Sequence, residues 1–169
     1  GTTTVFDHHA SMGYVSGSLE RMAGAFDLTG VRGALCFETS DRFGEKEAER
    51  HIEENLAFCR SHRQTSMLRG LFGLHASLTL SEKTLRTVAD CRPPEVPVHI
   101  HCAEAMDDVD ACHRLGYAGP VERLFEHGLL DTRSLLAHAV HLSSRDRNLV
   151  RSVRPFIVTN PESNANNGV

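Results

Sequence analysis

Lysine is almost missing from this chain. Lys46 and Lys83 are the only two in 169 residues, so arginine carries nearly all of the positive charge. The formal net charge is −4, which gives no electrostatic attraction to nucleic acid or to an anionic membrane. No CxxC pair occurs among the five cysteines, Cys36, Cys59, Cys91, Cys102 and Cys112, and their number is odd. Both facts argue against a disulfide framework and for a reducing, cytoplasmic setting. There is no signal-peptide pattern and no apolar run long enough to cross a bilayer. No Gly-rich phosphate loop follows the first apolar stretch, which counts against an open dinucleotide-binding sheet. No linker divides the chain, so residues 1–169 are expected to form a single domain. Hydrophobic residues at 40% and charged residues at 24% suit a globular core. The chain begins without Met and stops at Asn167-Gly168-Val169, and it is expected to be an excerpt of a longer one.

Histidine is what the chain has in excess, with 11 residues. They fall into a pattern of apolar strands and amphipathic helices. Strands are expected near Val5–His8, Val31–Glu38, Met67–His75, Val96–His101, Ser134–His138 and Pro155–Thr159, from their β-branched and aliphatic runs. Helices are expected near Leu19–Phe26, over Glu45–His62, after a Ser81 cap, after Pro120 and after a Ser143 cap. The second of these presents Ala48, Ile52, Leu56 and Cys59 on one face. The Pro120 helix turns Val121, Leu124 and Phe125 inward. Strict β-α alternation implies parallel strands and an α/β fold.

Polar groups stand at the candidate strand ends: Asp7 and His8, Glu38, His75, His101, His138, then Thr159 and Asn160. They recur roughly every 20–40 residues, the repeat of a (β/α)8 barrel whose site lies at the carboxyl ends of its strands. The chain would supply about six of eight units, strands two to seven of a TIM-type barrel. His99 and His101 lie two apart and point to the same side. His101 lies nearer the mouth and is the better ligand candidate, while His99 reads as a hydrogen-bonded core residue. Glu104 stands three residues past His101, where a carboxylate can shuttle protons to an activated water. His138 ends an apolar strand with no structural reason to be there. His141 belongs to the following loop. His51, His62, His113 and His127 read as surface or packing residues, and Asn160–Asn164 reads as a polar loop. A Cys102–His101 nucleophilic pair is disfavoured, because strand neighbours face opposite ways.

Taken together, Gly1–Ser11 (GTTTVFDHHAS), Gly73-Leu74-His75-Ala76-Ser77, His99-Ile100-His101-Cys102-Ala103-Glu104, Leu136–Leu142 and Asn160-Pro161-Glu162-Ser163-Asn164 resemble the amidohydrolase superfamily. The resemblance is to its aminohydrolase/chlorohydrolase branch, which includes guanine deaminase, adenosine-type deaminases and SsnA-like aminohydrolases. The motifs occur in family order and span nearly the whole chain. The resemblance implies a (β/α)8 barrel that holds one divalent metal ion, zinc first and iron second. It implies that His101 is a metal ligand, Glu104 the proton shuttle, His138 a catalytic or ligating histidine and His75 a substrate contact. The activity implied is metal-dependent hydrolysis of a non-peptide C–N bond, the deamination of a purine or related heterocycle by metal-activated water. Its partner would be that small-molecule heterocyclic substrate, with no nucleic acid or membrane partner and a homodimer at full length.

Three departures from the family pattern stand out. The first-strand His-x-His and the eighth-strand Asp are expected before Gly1 and after Val169, and Thr159 replaces a common histidine. Neither lysine lies at a strand end, which disfavours a two-metal centre bridged by carboxylated lysine. Since catalytic zinc generally takes three protein ligands, residues 1–169 by themselves are expected to hold metal weakly and to be inactive. The alternative from another class is a non-catalytic barrel that serves as a scaffold or assembly subunit.

Overall fold

The computed structural model describes residues 1–62 and 67–169. Its elements are β1 (Thr4–His9), α1 (Ser18–Thr29), β2 (Arg32–Phe37), α2 (Glu45–Ser61), β3 (Leu68–Gly70), β4 (Phe72–Ala76), α3 (Glu82–Cys91), β5 (Val98–Cys102), α4 (Met106–Arg114), α5 (Pro120–Glu126), β6 (Leu135–His138), α6 (Ser144–Val153), β7 (Phe156–Val158) and α7 (Pro161–Asn167). Every strand pair is parallel, in the orders β1-β2-β3 and β4-β5-β6-β7.

The single strand expected over 67–75 is divided at Leu71. β3 pairs with β2, while β4 pairs with β5. β2 nevertheless runs beside both pieces: Leu71 N–H donates to the Leu35 carbonyl at 2.9 Å, and Thr39 N–H to that of Gly73 at 3.1 Å. Gly73 permits this approach, since a Cβ there would lie 2.2 Å from the Phe37 carbonyl oxygen. Buried Asn55 of α2 braces the same place. Its side-chain oxygen accepts from Phe37 N–H at 2.8 Å, and its amide donates to the Phe37 carbonyl at 2.8 Å.

Strand alternation sorts the side chains into two layers. Leu74, Val98, Ile100 and Leu136 face the helices and meet Ile52, Leu85, Val88, Leu124 and Leu149. Ala34, Cys36, Leu71 and Leu135 form a smaller cluster on the other face. That inner face is curled. Three strand spacings on a flat sheet would separate β1 from β5 by about 14 Å, yet the His8 and His99 rings are 4.6 Å apart. A trough of about 670 Å³ runs along the inner face, lined by Phe6, His8, His99, His101 and Ala137.

Two helices depart from the sequence expectations. α4 was expected only as a helical setting for His113, without bounds, although Asp107 and Asp108 in its first turn and His113 and Arg114 in its last match the charge bias of a helix. α7 occupies the stretch read as a polar loop, with Pro161 in its first turn and Gly168 at its left-handed stop, a pairing typical of helix ends. Phe125, expected inward, is 42% exposed. Its helix has only seven residues, and Val121 and Leu124 already occupy the inward stripe.

Candidate metal centre

His101 occupies the middle of the inner face at the carboxyl end of β5. Its ring centroid lies 4.5 Å from that of His8, 5.6 Å from His138 and 5.7 Å from His75. Its Nδ1 lies 3.0 Å from the His75 carbonyl oxygen. A carbonyl can only accept, so Nδ1 carries the proton and Nε2 keeps its lone pair. His75 follows the same logic. The Thr79 hydroxyl donates to the Ala76 carbonyl at 3.0 Å, so it accepts from His75 Nδ1–H at 2.8 Å. His138 Nδ1–H donates to Asn164 Oδ1 at 2.7 Å. In all three imidazoles Nδ1 is thus engaged as a donor, which leaves Nε2 as the atom that can meet a metal or a water.

The inward turn of His138 is a backbone effect. Leu135 lies on the inner face and Leu136 on the helix face, so alternation would send His138 toward the helices. Positive φ values at His138 (71°) and Ala139 (53°) break that alternation. Ala103, one residue past β5, is also at positive φ (49°), and its N–H donates to buried Asp108 Oδ2 at 2.9 Å. Left-handed backbone at three non-glycine residues is strain, held here by the surrounding hydrogen bonds.

Glu104 follows that bend. Asn167 Nδ2 donates to its Oε1 at 2.9 Å, and its Oε2 stands 3.6 Å from His138 Nε2. Asn160 Nδ2 lies 3.5 Å from the same His138 nitrogen. α7 thus supplies Asn164 and Asn167, which hold the imidazole and the carboxylate respectively.

His8 and Glu38 complete the group, with ligand atoms of His8, Glu38 and His101 all within 4.8 Å of one another. His8 Nε2 is buried without a hydrogen-bond partner among the described residues. Burial, together with neighbouring histidines, pushes the His8 imidazole well below its ordinary pKa, and His101 shifts the same way. Burial first, then the charge of Arg42, brings His75 down to about 4. These imidazoles are neutral at pH 7, as ligation requires. Burial raises Glu38 despite its ion pair with Arg42. Two nitrogens and a carboxylate, one nitrogen buried and unpartnered, fit a divalent cation of the zinc or iron class.

The four residues singled out in the sequence, His75, His101, Glu104 and His138, are brought together. His99 lies one layer deeper, 6% exposed, as a core histidine should. Cys102 is fully buried on the helix side, away from His101. His8 and Glu38 were noted as strand ends but not as donors. Counting alternation along β1 from Phe6 would have turned His8 inward. Asn164 and Asn167 gave no signal, because their reach depends on α7.

The amidohydrolase family model matches residues 1–169 in full. The chain belongs to the amidohydrolase family. Among its curated relatives, a 5-methylthioadenosine/S-adenosylhomocysteine deaminase of Pelotomaculum thermopropionicum is 33% identical over 168 residues, covering 97% of this chain and 36% of the relative. A 5'-deoxyadenosine deaminase of Methanococcus maripaludis is 30% identical over 151 residues, covering 86% of this chain and 36% of the relative. The chain thus spans little more than a third of the curated relatives it matches. Among solved structures, E. coli guanine deaminase superposes with a TM-score of 0.82 at 20% identity, covering 99% of this chain and 40% of that one. An adenosine deaminase from Xanthomonas campestris with bound zinc gives 0.79 at 22% identity, covering 98% and 37%. At these identities the likeness is one of fold.

Proposed function

We propose that this chain is part of a metal-dependent aminohydrolase that cleaves a non-peptide C–N bond, deaminating a purine or related heterocycle. Residues 1–169 would form one partial domain of a (β/α)8 barrel, strands two to seven, in a cytoplasmic enzyme that is a homodimer at full length. The observation that carries this reading is the convergence of His75, His101 and His138, each with Nδ1 engaged in a hydrogen bond, with Glu104 Oε2 3.6 Å from His138 Nε2. The names of the two curated relatives described above, both deaminases of adenosine-like compounds, support the substrate class and do not favour the scaffold alternative.

His101, with His8 and Glu38, would hold one divalent ion, zinc first and iron second. When bound, such an ion supplies Lewis acidity and brings the pKa of water toward neutrality. Glu104 takes a proton from the attacking water at Oε2 and passes it to the adjacent ring nitrogen, then carries the second water proton to the exocyclic amino group, which departs as ammonia, while Asn167 fixes Oε1. His138 Nε2 accepts a hydrogen bond from the same water and orients it. His75 Nε2 accepts from an N–H of the heterocycle.

The test is ammonia release from a panel of heterocyclic amines by the full-length protein, with metal content measured alongside. Wild type should deaminate at least one member, and His101→Ala should lose both bound metal and activity. Stoichiometric metal with unchanged turnover in His101→Ala would overturn the reading.

A further inference from the structure

Beneath the group just described lies a second convergence. Cys36 Sγ, on the inner face of β2, is 3.6 Å from His8 Nδ1 and 3.8 Å from His99 Nδ1. The three donors come from β1, β2 and β5, and all lie within 4.8 Å of one another. We propose that Cys36, His8 and His99 form an inner cation site that takes a zinc-class divalent ion through Sγ and the two Nδ1 atoms.

Three observations point there. Zinc–sulfur and zinc–nitrogen bonds of about 2.3 and 2.05 Å, in tetrahedral geometry, set nitrogen and sulfur about 3.5 Å apart. The two measured separations sit close to that value before any ion draws the ligands in. The sulfur is also crowded by three polar neighbours: its S–H donates to the Asp7 carbonyl at 3.5 Å, so the two imidazoles can meet it only as Nδ1–H donors or through a shared cation. Finally, the set of two imidazoles and one thiol is borderline soft and dry, which favours zinc over magnesium or calcium. Cys36 is fully buried and His99 is 6% exposed.

The chemistry balances simply. The Sγ proton leaves to solvent as the cation binds the thiolate. His8 has a single lone pair when neutral, so binding through Nδ1 leaves the proton on Nε2. His8 can then serve the inner ion or the outer group, but not both as a neutral ligand. An inner ion would therefore convert His8 from an acceptor to a donor toward Glu38 and His101.

The proposal does not rest on the deaminase reading, although the two share His8, and its test reads the sulfur directly. Full-length metal-free protein is titrated with cobalt(II), and the thiolate-to-cobalt charge-transfer band in the near ultraviolet is recorded. The expected result is one such band per chain, retained in His101→Ala and lost in Cys36→Ala. Cys36→Ser, with folding checked by circular dichroism, covers the case in which the alanine variant fails to fold. Absence of the band in cobalt-saturated wild type would overturn the proposal. So would its persistence in either folded Cys36 variant, which would place the thiolate elsewhere.

Discussion

Asn164 shows how far the outer group depends on residues with no chemistry of their own. It fixes the His138 tautomer through one hydrogen bond of 2.7 Å. Asn164→Ala should leave His138 free to rotate and to exchange tautomers. Partners of this kind typically contribute 10–100-fold to activity, and a fall in kcat of that order, with the fold unchanged, is the expected outcome. Steady-state kinetics of the full-length variant would check it. Asn55 is the structural counterpart. Asn55→Ala strands the Phe37 N–H and C=O in a buried place, at roughly 1–3 kcal/mol per group. Denaturant unfolding should show a loss in that range or above it. At this scale His101, Glu104, His138 and His75 were legible, because each is a chemically specific residue at an apolar strand's exit. His8 and Glu38 were half legible: their positions stood out, but their inward facing needs an exact strand register. Asn164 and Asn167 were not legible, since an asparagine in a polar stretch is the ordinary case.

Among the elements, α6 carries a complete capping box. Ser143 Oγ accepts from Asp146 N–H at 3.0 Å, and Asp146 Oδ2 accepts from Ser143 N–H at 3.2 Å. Ser143→Ala should cost about 1 kcal/mol, read as a lowered denaturation midpoint with unchanged slope. The approach of β4 to β2 offers a harsher test. Gly73→Ala drives a methyl into the Phe37 carbonyl, and the displacement should cost roughly 1–3 kcal/mol and disturb His75, two residues on. The link between α5 and α3 predicts a pH response. Burial by itself would raise the Glu82 carboxyl, but hydrogen bonds and charge from buried Arg123, with Tyr117 and His127, outweigh it and hold the carboxyl below its ordinary value of 4.5. Glu82 therefore binds fewer protons folded than unfolded. Its stabilisation is complete above that ordinary value and is lost as the pH falls through the lower, folded one. In acid titrations, the stability gap between wild type and Glu82→Gln should be widest near neutrality and close below about pH 4.5. Ser81, Ser143 and Pro120 announced their helices correctly, because caps are local chemistry. The break of the third expected strand at Leu71 into β3 and β4 was not announced, since it records a change of pairing partner rather than of propensity.

For the molecule as a whole, the edges of the sheet matter most. β1 and β7 each pair with one neighbour among the described residues, and the large side chains beside them, Phe6 at 56% and Phe156 at 62%, are exposed. Unpaired strand edges flanked by aromatic side chains attract further strands. Residues 1–169 expressed by themselves should self-associate, with sedimentation giving species heavier than 18.7 kDa; a clean monomer at micromolar concentration would contradict this. The sequence by itself determined the α/β alternation, the parallel pairing and the strand ends that carry histidine, because apolar periodicity and caps are written in local order. Tertiary structure alone decided which strand ends meet. Curling of the sheet brings β1 against β5, positive φ at His138 turns that ring inward against its strand's alternation, and α7 places two asparagines beside the histidine and the carboxylate. Each of these depends on contacts between residues tens of positions apart, which no local pattern encodes.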